Sequence, residues 1–392
     1  MEDYSHDSPF LIVEIPSIED AKRLIQRSIL IKHIVELWGH GDSQVEMFDS
    51  VRNATQRHRP IYQTCSFKFL VDAFGYSLTM SEQIKRIENC SWLEFPGAID
   101  LKNPDVVFTY LEDYGEPDTS GQKPTYPPKH IYFGVLVGEG NRSIVTTYDL
   151  KKRNYLGTTS MDAELSLVMA NQALAKPGKL VLDPFVGTGS FLVSCSHFGA
   201  YTMGADIDGR QIRGMDGNGI ENNINQYNLK SLVLGTLVTD IAHHPWRCRD
   251  WFDAIVCDPP YGVRAGAKKI ASTNLPPFKK NGERRYPTME AYEMSLVISD
   301  LIQFASIHLV KGGRLVFWLP TLIEEYTPED IPTHPDMKLI ANSEQNFGKW
   351  SRRLITMEKI SGIIDTVSVS STVDKPGHSN FREKYFNVPI PQ

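Results

Sequence analysis

Val181-Leu182-Asp183-Pro184-Phe185-Val186-Gly187-Thr188-Gly189-Ser190 joins an apolar run to an acidic residue and two glycines. That is the pattern of a strand that ends in a tight loop and opens a helix. Glycine lets the backbone approach a ligand closely, but a dinucleotide fingerprint needs a third glycine, at the last position of G-x-G-x-x-G, to seat a pyrophosphate. Leu192 stands there, so the dinucleotide spacing fails. A walled loop with an acidic partner suits instead a zwitterionic ligand that bears a sulfonium. Asp183 would accept from its ammonium group, and Gly187 and Gly189 would make room for a methionine portion, with Pro184 and Phe185 counted in the same loop.

Downstream of about residue 178, apolar strands alternate with helix-length segments, the signature of a doubly wound parallel sheet. Seven candidate strands cover residues 179–185, 200–206, 232–240, 252–258, 313–319, 338–346 and 353–359, the last two close enough to form an antiparallel hairpin. The fold class is α/β: a Rossmann-like seven-stranded sheet, with residues 161–175 as a helix packed on it before its first strand. The second strand ends in Asp206-Ile207-Asp208, roughly 20 residues beyond the glycine loop, the place where a carboxylate accepts both ribose hydroxyls. Asp206 is assigned that role, with Ile207 beside it. Asp208, just before a helix, is the weaker candidate because such residues often serve only as N-caps. Asp240 ends the third strand. It either receives an adenine amino group, with Ile241 packed on the ring, or merely closes a strand-end turn.

The fourth strand runs into Asp258-Pro259-Pro260-Tyr261-Gly262. Consecutive prolines stiffen a turn at the carboxyl edge of the sheet, where α/β enzymes bind ligands. An amine conjugated to an aromatic ring is a poor nucleophile because its lone pair is delocalised. Two acceptors, the Asp258 carboxylate and the Pro259 carbonyl, would take its two N–H bonds and aim the lone pair at a methyl group, while Tyr261 offers a face for a planar base. Together the motifs describe transfer of a methyl group from S-adenosylmethionine to the exocyclic amine of a nucleobase.

The whole chain has 392 residues, which favours two domains. With 41% hydrophobic and 22% charged residues it has an ordinary globular composition. Its most apolar runs, 180–186 and 315–319, are strand-sized, and the first residues lack a basic leader with an apolar core, so a soluble cytoplasmic protein is expected. Five scattered cysteines suggest reduced thiols and no zinc held by this chain. A net charge of −6 excludes a strongly cationic coat for nucleic acid. Basic clusters remain at Lys151-Lys152-Arg153, Lys268-Lys269, Lys279-Lys280, Arg284-Arg285 and Arg352-Arg353. The first 150 residues read as an α+β module, with strands at 10–15, 64–71 and 130–136, helices at 18–38 and 81–88, the latter opened by Ser81, and a loop at 113–129. The expected organisation is therefore a module over 1–150, a linker and packing helix over 151–177, a catalytic domain over 178–362 and a tail over 363–392.

With these residues in hand, the chain resembles the tRNA guanine N2-methyltransferases that act on the guanosine at position ten. The resemblance is carried by Thr159-Ser160-Met161-Asp162-Ala163, Asp183-Pro184-Phe185-Val186-Gly187-Thr188-Gly189, Cys195-Ser196-His197-Phe198-Gly199-Ala200, Phe252-Asp253-Ala254-Ile255 and Arg352-Arg353-Leu354-Ile355-Thr356-Met357-Glu358-Lys359. It implies a THUMP-type RNA-binding module in the first half, with Lys151, Lys152 and Arg153 expected to contact tRNA phosphates. A DNA or other RNA amino-methyltransferase acting on adenine N6, a protein glutamine methyltransferase with Asn in place of Asp258, and a non-catalytic RNA-binding scaffold are the competing readings. The third strand, at the sheet edge, has no charge from Ser231 to Thr239. Such an edge needs a cover, either a helix of this chain or an added strand. The resemblance implies a heterodimer with a small zinc-binding activator protein on residues 232–238.

Overall fold

A computed structural model describes residues 8–58, 62, 64–116, 124–261, 267–271 and 288–362. Gly262, Lys279-Lys280, Arg284-Arg285 and the 363–392 tail lie outside the described residues. The chain divides into two compact units, residues 1–143 and 144–392.

In the first unit α1 (Ile18–Arg27) is followed by β1 (His33–Gly41), α2 (Gln44–His58), β2 (Phe67–Phe74), α3 (Met80–Asn89), β3 (Val106–Asp113) and β4 (His130–Glu139). The sheet order is β1-β4-β3-β2, with β2 and β3 parallel and the other pairs antiparallel. Trp38, Phe108 and Phe133 form its buried aromatic core, closed by Met47 and Val51 of α2. Three expectations are corrected. The single helix over 18–38 is a helix and a strand. α1 stops where Ser28 turns extended (φ −72°, ψ 137°), and the β-branched Ile34 and Val35 pair with β4. Residues 10–15 form no named strand. The cap of α3 is Thr79 rather than Ser81: Thr79 Oγ1 accepts from the Glu82 amide, and the Glu82 side chain returns to the Thr79 amide, a complete capping box.

The short α4 (Ser143–Thr147) marks the boundary. Beyond it lie α5 (Ala163–Gln172), β5 (Leu180–Asp183), α6 (Ser190–His197), β6 (Tyr201–Asp206), α7 (Gly209–Arg213), α8 (Ile220–Gln226), β7 (Val233–Val238) and β8 (Phe252–Cys257). A two-stranded ribbon, β9 (Lys268–Ile270) and β10 (Met289–Ala291), precedes α9 (Met294–His308), β11 (Leu309–Leu322), β12 (Met337–Asn346) and β13 (Trp350–Lys359). The large sheet has the order β12-β13-β11-β8-β5-β6-β7. It is parallel except for β13, which inserts antiparallel between β11 and β12.

Alternate side chains on the central strands pack on opposite faces, as the two-residue period of a strand requires. Leu182, Ile255 and Phe317 meet Val297, Leu301 and Ile302 of α9, whereas Val181, Ala254 and Val316 meet Met169 and Ala170 of α5 and Phe191 of α6. Burial on both faces explains why these strands read as continuous apolar runs. The chain leaves β5 to build β6 and β7 on one side, then returns to place β8 on the other. The carboxyl ends of β5 and β8 therefore flank the topological switch point, the place where open α/β sheets hold ligands.

Candidate active site

The loop after β5 is shaped by two carboxylates. Asp183, buried at 2% exposure, accepts the Phe185 amide at 3.0 Å and folds the chain over at Pro184. Asp206, ending β6, accepts the Gly187 amide on Oδ2 at 2.9 Å and the Asp208 amide on Oδ1 at 2.8 Å. One side chain thus fixes two loops at neighbouring strand ends. Gly187 and Gly189 both sit at positive φ, +47° and +84°, where a Cβ is strained. Their surroundings differ. A Cβ on Gly187 would find nothing nearer than Thr159 Oγ1 at 3.8 Å, whereas one on Gly189 would press on Ile220 at 3.2 Å. Gly187 keeps a cradle open, and Gly189 lets α6 start close against α8.

A cleft of about 880 Å³ opens over these strand ends, within the size of small-molecule sites. Of the residues expected to bind a cofactor, Pro184, Phe185, Gly187, Asp206, Ile207, Asp240 and Ile241 line it, as do Asp258, Pro259, Pro260 and Tyr261 after β8. Asp183 and Gly189 stand behind the lining. Burial pushes the Asp183 carboxyl well above the usual carboxylate range, and the nearby Asp206 and Asp258 push it further. Burial also raises Asp206. Asp240 is more committed than its sequence position suggests. Its Oδ1 accepts the Ala242 amide at 3.0 Å, and its Oδ2 accepts the Ile270 amide of β9 at 2.8 Å and faces His243 Nδ1 at 3.1 Å. It closes the strand-end turn and ties the β9–β10 ribbon to the sheet. Asp208 is an N-cap, accepting the Arg210 amide at 3.0 Å and pairing with the Arg210 guanidinium, although it too borders the cleft.

Several lining residues were not foreseen. Residues 158–162 form one wall, joined to the glycine loop by a 2.7 Å contact between Ser160 Oγ and Thr188 Oγ1. Phe347 and Trp350 come from the β12–β13 turn, stacked at 4.5 Å with rings 16° apart, and Tyr261 lies 6.4 Å from Trp350. Arg352 reaches the cleft with its guanidinium over the Trp318 ring at 4.2 Å and bonded to Gln345. Lys268 and Tyr292 belong to the ribbon side, the Tyr292 hydroxyl donating to Asp300. An aromatic pair three residues apart across a tight turn is a visible signal, but its proximity to Tyr261 depends on β13 inserting beside β11.

The basic cluster needs correction. Lys151 and Lys152 are exposed, but Arg153 is buried at 6% exposure and donates to Ser190 Oγ at 2.8 Å, so it is a packing residue and not a phosphate contact. The edge strand β7 is as apolar as its sequence, with Leu234, Leu237 and Val238 exposed. It also carries a bulge: Met203 pairs with Gly235 directly after Thr202 pairs with Val233, and Gly235 has φ +144°.

A seven-stranded sheet of this order, with a glycine loop after β5 and Asp-Pro-Pro-Tyr after β8 opening on one cleft, is that of a Rossmann-like methyltransferase. Two family models match parts of the chain. The Tmrp11 THUMP N-terminal domain matches residues 1–142, and the RMKL-like methyltransferase domain matches residues 151–286. The tRNA (guanine(10)-N(2))-methyltransferase of Schizosaccharomyces pombe is 45% identical over 98% of this chain and 82% of its own length. The Homo sapiens protein of the same name is 40% identical over 97% of this chain and 87% of its own length. The chain belongs to the family of tRNA (guanine(10)-N(2))-methyltransferases.

Proposed function

We propose that this chain methylates the exocyclic N2 of guanosine 10 in tRNA, with S-adenosylmethionine as the donor. The observation that carries the reading is the meeting, in one cleft, of the Gly187 cradle and the Asp206 clasp with Asp258-Pro259-Pro260-Tyr261. The donor set fits such a cofactor. Asp183 is buried and Asp206 half-buried, both carboxyls are raised, and the charges acting on Asp183 are carboxylates, so a ligand with an ammonium and a sulfonium relieves their mutual repulsion. Asp206 holds the ribose, Ile207 and Ile241 flank the adenine, and the open face of Gly187 admits the methionine portion. S-adenosylmethionine supplies an electrophilic methyl group.

On the acceptor side, the Asp258 carboxylate and the Pro259 carbonyl accept the two N–H bonds of the guanine amine and orient its lone pair. Tyr261 stacks on the base, and Phe347 and Trp350 close the slot from the hairpin side. The amine stays neutral until it is alkylated, and the proton it then loses passes to Asp258 and on to solvent. Positioning of this kind supplies on the order of several kcal/mol of barrier lowering.

The module over residues 1–150 supplies most of the grip on tRNA, with Lys151 and Lys152 adding phosphate contacts. The apolar edge β7 receives a small zinc-binding activator protein, forming a heterodimer that works in the cytoplasm. No helix among the described residues is long and apolar enough to cross a membrane. The test is a labelled-methyl assay on bulk tRNA with chain and activator coexpressed, followed by nucleoside analysis. Label in N2-methylguanosine is expected. Label in N6-methyladenosine, or in DNA instead of tRNA, would overturn the reading.

A further inference from the structure

The wall formed by residues 158–162 lies at the end of a strap that has no place in the sheet, so something else must hold it. Two amides of α8 do so. Asn223, fully buried, accepts the Tyr155 amide on Oδ1 at 2.8 Å and donates from Nδ2 to the Tyr155 carbonyl at 2.8 Å. The same Nδ2 donates to the Thr188 carbonyl at 3.2 Å. One turn along the helix, Gln226 accepts the Asn154 amide at 2.8 Å and donates to the Lys152 carbonyl at 2.6 Å. Residues three apart share a helix face, so α8 presents a row of paired donors and acceptors to the strap, much as a strand edge would.

Asn223 differs from Gln226 in what its second donor bond reaches. Thr188 lies between the two glycines of the cofactor loop, and its own hydroxyl contacts Ser160 of the strap. A single buried amide therefore sets the spacing between two walls of the cleft, the glycine loop and the strap. We propose that Asn223 is a positioning residue for S-adenosylmethionine, holding loop and strap at the separation the cofactor needs. This rests on the cofactor reading given above. The chemistry requires an amide: every bond Nδ2 makes is a donation to a carbonyl, and Oδ1 accepts, so neither a carboxylate nor an apolar isostere can replace it.

The test compares full-length wild type with Asn223→Asp and Gln226→Glu by calorimetric titration with S-adenosylmethionine and by steady-state kinetics, from pH 6 to 8.5. In Asn223→Asp the acceptor bond survives, but a carboxylate faces two carbonyls. Cofactor affinity at pH 8 should fall at least about 10-fold. The KM for tRNA and the rate at saturating cofactor should stay close to wild type. A buried carboxyl in that setting holds its proton to higher pH, and its O–H regains one donor bond. The deficit relative to wild type should therefore shrink as pH is lowered, and thermal melting at each pH confirms that the affinity is read on folded protein. Gln226→Glu loosens only the strap and should show a smaller shift in the same direction; it serves as the deciding variant if Asn223→Asp does not fold. Wild-type cofactor affinity in the folded variants across the pH range would overturn the proposal. Failure of the wild type itself to bind S-adenosylmethionine would instead overturn the reading of the cleft.

Discussion

Asp206→Ala removes the carboxylate that joins two loops, and its cost can be worked from the bonds it breaks. Asp206 accepts two backbone amides, from Gly187 at 2.9 Å and Asp208 at 2.8 Å. A hydrogen bond to a charged group contributes about 1.5–3 kcal/mol. The cleft is open to water, so both amides are partly resolvated after the substitution, and the lower end of the summed range applies. A loss of about 3 kcal/mol in S-adenosylmethionine binding follows, equivalent to roughly 150-fold weaker affinity. The neighbouring Asp208 is the control. Its carboxylate serves the α7 cap and the exposed Arg210, so Asp208→Ala should cost less than about 1 kcal/mol. Isothermal titration of both variants, with thermal melting to confirm folding, separates the two carboxylates. Affinity within about threefold of wild type for a folded Asp206→Ala protein would refute the reasoning, and so would an equal loss in Asp208→Ala.

Asp258→Ala should abolish methyl transfer while S-adenosylmethionine still binds, because Asp258 acts on the acceptor amine; near-normal turnover would sink that assignment. Buried His308 is pushed down to about 4, from 6.5, first by burial and then by neighbouring His244. The unfolded chain therefore takes up a proton that the folded one refuses. Stability should be whole above about pH 6.5 and decline by up to about 3 kcal/mol as pH falls towards 4. Urea titrations at three pH values should show this slope flattened in His308→Phe, and an unchanged slope would exclude His308 as its source. Leu234 is 57% exposed, so Leu234→Lys should leave the isolated fold intact and weaken activator binding. Unimpaired coelution with the activator would argue against β7 as the docking edge.

How much of this was legible depended on whether a residue's role is local. The large sheet could be read because β5, β8 and β11 each carry a continuous apolar run, 180–182, 254–257 and 315–319, that packs on both faces. The Asp183 loop and the Asp258 turn were legible because strand ends carry their own punctuation in Gly, Pro and Asp. The first unit was harder. Residues 18–38 keep an apolar residue at nearly every third or fourth position, and the change from α1 to β1 is marked only by Ser28 and the clustering of β-branched residues after it. Arg153 was misread because burial against Ser190 is set by the strap's path, which no local pattern encodes. Phe347, Trp350 and Asn223 were missed for the same reason. Each acts on a segment distant in sequence, and only the order β12-β13-β11 or the α8 clasp brings them near the cleft.

The insertion of β13 between β11 and β12 has a bearing on biosynthesis. The cleft draws on residues from Leu150 to Arg352, and the strand carrying Trp350 and Arg352 is the last of the sheet to leave the ribosome yet fills an interior position. At about 5–20 residues per second, the nascent chain spends on the order of ten seconds with Asp258 already emerged and the hairpin side of the slot still missing. During that interval the edge of β11 that later receives β13 is bare, and a nascent chain stalled there would need shielding from other strands. The slot can therefore be complete only once β13 has joined β11.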